Sequence, residues 1–436
     1  VLLFNRFKPD NLMHVLHDDI LPLYMTLKLI SVVDGKNHID IRNKPETKLV
    51  FFEGWEEGEF SQLYQLFSSN PIITKESLKS KGKVICFRDA YTGVSKSTVW
   101  YDYGFTKPQG PIENFQVTSR EIHSLAQYML GHLKQSDETL PISSGYLVLL
   151  TRKENRKIVN EVDLSLEIVG NLGIKVLNLN FEMFEFSKIV NLIHGSKGII
   201  GMHGSLLSLA IFLKPGSVLV ELFPYAINPS HYTPFKTLAS IKGMGIVYKA
   251  WRNTKFENSV THPDRPADEG GLGHLSDEEK KTIMEQTEVP PHLCCTDPSW
   301  LYHIYQDTVV DITEVISLVE SSLEKSEKYF HQSDISFHPS QVKNVSCAMS
   351  KNISTWQLLV SWDTPWTVVL FDADNVQYEI LVQDMVDKSK VKSYIADKSP
   401  FILDLSSESS YFVWTRCVLN TTLNGPYSDA SQCVNP

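Results

Sequence analysis

A histidine and a carboxylate four residues apart begin the chemistry of this chain, in Asn11-Leu12-Met13-His14-Val15-Leu16-His17-Asp18-Asp19. On a helix, positions i and i+4 share a face, so His14 and Asp18 meet. A carboxylate held beside an imidazole can take a proton from a sugar hydroxyl. Asp18 is the expected base, His14 its partner, and Asp19 the competing carboxylate. A surface helix with a polar first turn would produce the same spacing. His14, His17 and Asp18 could also ligate a metal, but no distant fourth ligand stands out.

A second constellation is GIIGMHGSLLSLAIFLKPGSVLVELFP, Gly198 to Pro224. It reads as strand, tight turn, helix, Pro-Gly stop and strand. Gly201, His203 and Gly204 form a turn that lets backbone approach a ligand, and Ser205 to Leu213 run apolar at helical spacing. Free N–H groups and a positive dipole end at such a helix start suit a diphosphate. Glu221, near the end of the next strand, suits ribose hydroxyls. An ordinary strand–helix–strand crossover, with glycines that only ease packing, fits the same residues.

Arg152 and Arg156 follow the apolar strand Tyr146–Leu150. At the carboxyl end of a parallel strand they point towards the switch-point crevice, where forked contacts to phosphate oxygens become possible. Solvated charge is the plain alternative, since Lys153 and Lys157 share the loop. His203 could donate to a phosphate or serve the backbone. His231, in Asn228-Pro229-Ser230-His231-Tyr232-Thr233, offers an imidazole at the same sheet edge for base or sugar contacts, or for loop packing. The sole D-x-D triplet, Asp372-Ala373-Asp374, lies in the β-rich tail, far from these residues. Arginine and a helix dipole, rather than a metal, are therefore expected to offset a leaving diphosphate.

Alternating elements must position these groups. Val1–Phe4, Leu49–Phe52 and Gly82–Phe87 read as strands. Asn11–Leu29, Ser61–Phe67 and Ser119–Lys134 read as helices. A second series begins with Tyr146–Leu150 and continues through the helix Glu161–Leu172, with Val162, Leu166 and Val169 expected inward. The strand Val176–Leu179 and the helix Phe186–His194 follow. Strands separated by helices imply parallel sheets. The expected class is α/β, two Rossmann-like lobes at 1–140 and 141–330, with Trp300–Lys328 helical. From 337 to 436 the texture changes to seven short strands, the pattern of an all-β sandwich. Ser361-Trp362 with Pro365, Tyr378-Glu379-Ile380, Tyr411 to Arg416 and Gly425 to Ser428 resemble a fibronectin type III module.

The bulk composition narrows the rest. The chain has 436 residues, enough for about two to four domains. Its net charge of −10, with no basic block, argues against nucleic acid as a partner. None of the six cysteines forms a CxxC pair, which disfavours a zinc ribbon. Adjacent Cys294 and Cys295 are expected to find separate partners, if any. Cys347, Cys417 and Cys433 make at least one disulfide plausible in the tail. Sequons at Asn344, Asn352 and Asn420 lean towards a secretory lumen and a glycoprotein. No run approaches the ~18 apolar residues of a membrane span, and the start at Val1 suggests an upstream segment.

Taken together, NLMHVLHDD, TRKENRKIVNE after a strand, the Gly198–Pro224 block, NPSHYTPFKTLA, VTHPDRP and PHLCC resemble glycosyltransferase family 61 across essentially the whole chain. The resemblance implies a GT-B fold and inverting transfer from UDP-N-acetylglucosamine to the 4-hydroxyl of O-linked mannose. The acceptor it implies is an O-mannosylated protein such as α-dystroglycan. It also implies a type II protein of the endoplasmic reticulum lumen, held by an N-terminal signal-anchor outside this chain. Position by position, it puts the nucleotide on Arg152, Arg156, His203, Gly204, Ser205 and Glu221. Asp18 falls where relatives with the N-x-x-H-x-x-x-D pattern place an acid facing the acceptor, and Asp19 leaves the choice of base open. A different acceptor, such as an EGF-like domain or a glycan, is the nearest rival. A catalytically dead adhesion or lectin-like receptor is the rival from another class. The terminal module could dock acceptor peptide or a second copy of the chain.

Overall fold

The computed structural model describes residues 1–33, 45–55, 57–79, 85–104, 108–133, 145–332, 338–352, 355–365, 368, 375–405 and 409–434. The chain divides into two units, Val1–Glu327 and Lys328–Pro436.

The first unit holds two parallel sheets. Strands β1 (Leu2–Phe4), β2 (Leu49–Phe51), β3 (Ile73–Thr74) and β4 (Tyr91–Thr92) lie in the order β3-β2-β1-β4. A short antiparallel pair, β5 (Tyr101–Asp102) and β6 (Gly110–Pro111), follows. The second sheet comprises β7 (Tyr146–Thr151), β8 (Lys175–Asn180), β9 (Gly198–Met202), β10 (Val218–Phe223) and β11 (Val247–Arg252), in the order β11-β10-β9-β7-β8. All of its strand pairs are parallel. After β8 the chain returns to the other side of β7 to form β9, so strand order reverses between β7 and β9. In open parallel sheets such a switch point is where a ligand crevice is expected, at the carboxyl ends of the two strands.

Burial explains the strand sequences. Every residue of β7, β9 and β10 is buried, as continuous apolar runs in a two-sided parallel sheet must be. One apolar core joins the first sheet to one face of the second, through Leu2, Phe4, Leu49, Val148, Ile199 and Leu219. The opposite face packs Leu147, Leu149, Ile200 and Val220 against Leu164, Ile168, Val315 and Val319. The helix Glu161–Leu172 thus buries Leu164 and Ile168, while Val162, Leu166 and Val169 are exposed, contrary to the sequence expectation. Both faces of that helix carry aliphatic residues; the contact with the helix Ile312–Gln332 selects between them. Gly173 closes it in the left-handed conformation.

Other expectations shift as well. Gly82–Phe87 falls partly outside the described residues, its described remainder is irregular, and the strand at that edge is Tyr91–Thr92. The stretch read as one helix from Trp300 is two, Pro298–Ile304 and Ile312–Gln332. Between them runs β13 (Asp307–Thr308), which pairs with β12 (Ser259–Val260). Cys294 and Cys295 are bonded to each other, not to separate partners.

The second unit is all-β. Strands β14 (Lys343–Asn352), β15 (Thr355–Asp363) and β18 (Phe401–Leu405) form one antiparallel sheet. Strands β16 (Val376–Asp384), β17 (Val391–Ala396), β19 (Tyr411–Leu419), β20 (Leu423–Asn424) and β21 (Ser431–Cys433) form the other. Alternate residues of β16 and β19 turn inward, the period-two pattern of a half-buried strand. Trp362 packs 5.0 Å from Tyr378 in the core, and a disulfide joins Cys347 to Cys433. The D-x-D triplet lies outside the described residues.

Candidate active site

The helix after β1 is not uniform. Asn11 caps it, its Oδ1 accepting from the Met13 and His14 N–H groups. From Val15 to Ile20 the helix widens to a π-turn, closed by the Leu21 N–H donating to the Leu16 carbonyl. Such single-turn π segments recur at functional sites because they re-aim consecutive side chains. Here the segment gathers His17, Asp18 and Asp19, all buried.

Asp18 is surrounded by donors. Its Oδ2 lies 2.8 Å from His14 Nδ1 and its Oδ1 3.0 Å from His17 Nδ1. The Trp100 N–H donates to His17 Nε2 at 3.0 Å, so the His17 proton sits on Nδ1 and faces the carboxylate. The Tyr103 hydroxyl lies 2.9 Å from that same Nδ1 and donates to Asp18. These donors hold the Asp18 carboxyl far below its ordinary value, although burial alone would raise it. An ionised Asp18 only accepts, so His14 Nδ1 carries a proton, and in the neutral form of the ring Nε2 would hold the lone pair. The His14 ring is braced by Tyr103 at 4.4 Å and Phe7 at 4.9 Å.

Asp19 serves a different purpose. It is 1% exposed and accepts from the Tyr64 hydroxyl at 2.6 Å and the Phe7 N–H at 3.1 Å. Burial pushes its carboxyl up to about 7. It ties the segment after β1 to the helix and, through Phe7, braces the His14 ring.

The crevice between β7 and β9 holds the second cluster. Arg152 and Arg156 leave the end of β7, and His203 and Gly204 follow β9. The helix Ser205–Phe212, wound in the tighter 3₁₀ form, starts at this corner. Its first N–H groups have no intrahelical acceptor. Gly204 has φ +152°, and a Cβ there would strike Arg156 Nη1 and lie 2.9 Å from Arg152 Nη2. The backbone angle calls for glycine, and a side chain there would have to displace the two guanidinium groups. Arg156 itself adopts φ +54°, stacks on Tyr305 at 5.0 Å and donates through Nη1 to the His203 carbonyl at 3.4 Å. Arg152 Nη2 is buried without a partner. Burial, with Arg156 beside it, presses the Arg152 guanidinium well below its ordinary value. Two neighbouring cations with a buried unsatisfied N–H, at a helix start, form a site that an anion would relieve.

Glu221 is placed differently from expectation. It is fully buried, with Oε1 2.5 Å from His203 Nδ1 and Oε2 accepting from the Tyr248 hydroxyl at 2.6 Å. Each oxygen already has a partner inside the protein, and the complete burial of the side chain leaves neither exposed for a ribose. His231 Nδ1 lies 3.9 Å from Glu288, and Tyr232 packs 6.2 Å from the His231 ring and 6.3 Å from the His203 ring. Ser205 contributes the first residue of the short helix.

The two clusters meet. The turn Leu12–His14 packs against the helix Ser205–Phe212. Trp100 and Tyr101 are tied to the start of the helix Pro234–Ser240, by Trp100 Nε1 donating to the Pro234 carbonyl and by the Thr233 N–H donating to the Tyr101 hydroxyl. Tyr103, Tyr248 and Tyr305 were not foreseen. Only the alternating Tyr101 and Tyr103 carried a local sign of a half-buried edge. Among the described residues, no cluster of three or more His, Cys, Asp or Glu side chains is arranged to hold a metal, and no helix is long and apolar enough to cross a membrane.

A family model described as Glycosyltransferase 61 matches residues 13–220, a span that takes in His14 to Asp19, Arg152, Arg156, His203, Gly204 and Ser205. Protein O-linked-mannose beta-1,4-N-acetylglucosaminyltransferase 2 of Xenopus laevis is 39% identical over 436 residues, covering 99% of this chain and 73% of that protein. The proteins of the same name from Canis lupus familiaris and Homo sapiens are each 39% identical over 439 residues, with the same coverage. A crystal structure of titin domains matches 22% of this chain and 30% of its own, with 12% identity and a TM-score of 0.18, too low to bear on the fold.

Proposed function

The chain belongs to the glycosyltransferase 61 family, and from that premise we propose that it transfers N-acetylglucosamine from UDP-N-acetylglucosamine to the 4-hydroxyl of protein-linked mannose, with inversion. The observation that carries this reading is the partnerless, buried Arg152 Nη2 at the Gly204 corner, whose helix packs against the turn bearing His14. An anion site and a proton acceptor on adjacent helices are what displacement at an anomeric carbon requires.

In the mechanism, His14 Nε2 takes the proton from the mannose hydroxyl. Asp18 holds His14 Nδ1–H and balances the imidazolium that forms, the division of labour of a carboxylate–imidazole pair. This assigns the proton to His14 rather than to Asp18, because a carboxylate saturated by donors is a weak base. The deprotonated oxygen attacks from the face opposite the diphosphate. Arg152, Arg156 and the first N–H groups of the helix at Gly204 and Ser205 offset the charge on departing UDP. Glu221 acts behind His203, and His231 lines the approach to the corner.

The same reading takes 1–140 as the acceptor-side lobe and 141–330 as the nucleotide-sugar lobe of a GT-B arrangement, with 337–436 a fibronectin type III module. An O-mannosylated protein such as α-dystroglycan is the proposed acceptor, and the endoplasmic reticulum lumen the proposed location. A panel of UDP-sugars against O-mannosyl peptides, with the product linkage determined, tests the proposal. Selective transfer of N-acetylglucosamine in β-1,4 linkage is expected. Transfer only to unmannosylated EGF-like domains, or no transfer from any UDP-sugar, would overturn it.

A further inference from the structure

A hydrogen-bond chain runs behind the Gly204 corner, from His203 through Glu221 to Tyr248. Glu221, in the middle of β10, spends one oxygen on His203 Nδ1 and the other on the Tyr248 hydroxyl. Tyr248 sits on the neighbouring strand β11, opposite Leu219, so its ring reaches along the sheet face towards Glu221. Burial and the adjacent Glu221 push the Tyr248 hydroxyl well above its ordinary range, so it keeps its proton and donates. The His203 ring is stacked on Phe223 at 4.8 Å and edged by Phe235 at 5.9 Å. With Nδ1 turned inward to Glu221, Nε2 is the nitrogen left for the exterior. It has no hydrogen-bond partner among the described residues, and the side chain keeps 10% of its surface exposed.

We propose that Tyr248 is a positioning residue of the donor site: through Glu221 it fixes the His203 imidazole so that Nε2 faces the nucleotide diphosphate. The chain works by geometry. Glu221 has two rotatable bonds beyond Cβ, and a single hydrogen bond to His203 would let the pair swing together. The Tyr248 hydroxyl pins the second oxygen and removes that freedom. The inference rests on the donor-site reading given above and adds a residue to it.

The test is a double-mutant cycle in the full chain, read by calorimetric titration with UDP. Tyr248→Phe keeps the ring and removes only the donor, and is expected to weaken UDP binding about three- to tenfold, raising the donor KM with little change in acceptor KM. In a His203→Ala background the same substitution should add nothing further, because the group it acts through is gone. Spectra of the ¹⁵N-histidine-labelled protein should show the His203 Nδ1–H signal moved in Tyr248→Phe and absent in His203→Ala. Unchanged UDP affinity in Tyr248→Phe, or an equal loss with and without His203, overturns the inference. Should Tyr248→Phe fail to fold, Glu221→Gln supplies the same cycle, since its amide can accept from only one of the two donors. Arg152→Ala separates this from the parent reading. If that variant binds UDP normally, the donor site itself is misplaced; if it binds weakly while Tyr248→Phe does not, only the present inference falls.

Discussion

At the scale of single residues, two adjacent carboxylates in one π-turn have opposite fates, and their surroundings decide it. Asp18 is met by two imidazoles and a phenol and stays ionised. Asp19 is met by a phenol and one backbone N–H and is pushed up to about 7. Asp18→Asn should therefore lower kcat about 100-fold or more, since His14 loses its orienting anion, while UDP affinity stays near normal. Normal turnover in this variant would remove the pair from the mechanism. For Asp19 the sign runs the other way. Below its unfolded value near 3.8 both states are protonated. Above that, the unfolded chain ionises first and the folded chain only near 7, so stability declines as pH rises between them. Denaturant unfolding at pH 5 and pH 7 should show about 1–2 kcal/mol more loss in the wild type than in Asp19→Asn. Equal losses would mean that Asp19 is ionised throughout.

At the scale of elements, the corner where β9 meets the helix Ser205–Phe212 is built around absent atoms. Gly204→Ala drives a methyl into both guanidinium groups and imposes an unfavourable backbone angle. UDP affinity should fall at least tenfold, with a smaller effect on acceptor KM; binding within error of wild type would show that the corner does not hold the nucleotide. Arg152→Ala should weaken UDP binding by about tenfold, the range for losing a hydrogen bond to a charged group. Because guanidinium groups and helix N–H groups supply the positive charge in this reading, transfer should persist in excess EDTA. Complete loss there, restored by one added divalent cation, would sink that part of the mechanism.

Across the whole molecule, two units with separate cores should melt separately. UDP binds within Val1–Glu327 on our reading, so it should raise only the transition of that unit in calorimetry. Replacing Cys347 and Cys433 by serine should lower the stability of the β unit alone by about 2–4 kcal/mol. A single transition shifted equally by both treatments would mean the units unfold as one.

The periodicity of apolar residues was enough to place β7, β9 and β10, the capped helix after β1, and the change from parallel to antiparallel sheets, because strand and helix spacing are local properties. The i, i+4 spacing likewise paired His14 with Asp18. What depended on packing stayed hidden. The buried face of Glu161–Leu172 is chosen by a helix that begins 140 residues later. Cys294 and Cys295 were expected to have separate partners, if any, and are bonded to each other. Glu221 had the look of a ribose ligand, and only the neighbouring strand revealed Tyr248 closing its second oxygen. Local sequence set the elements and the residue types at their ends; the free energy of burying polar groups, which only tertiary neighbours can satisfy, decided which of those residues were left free to act.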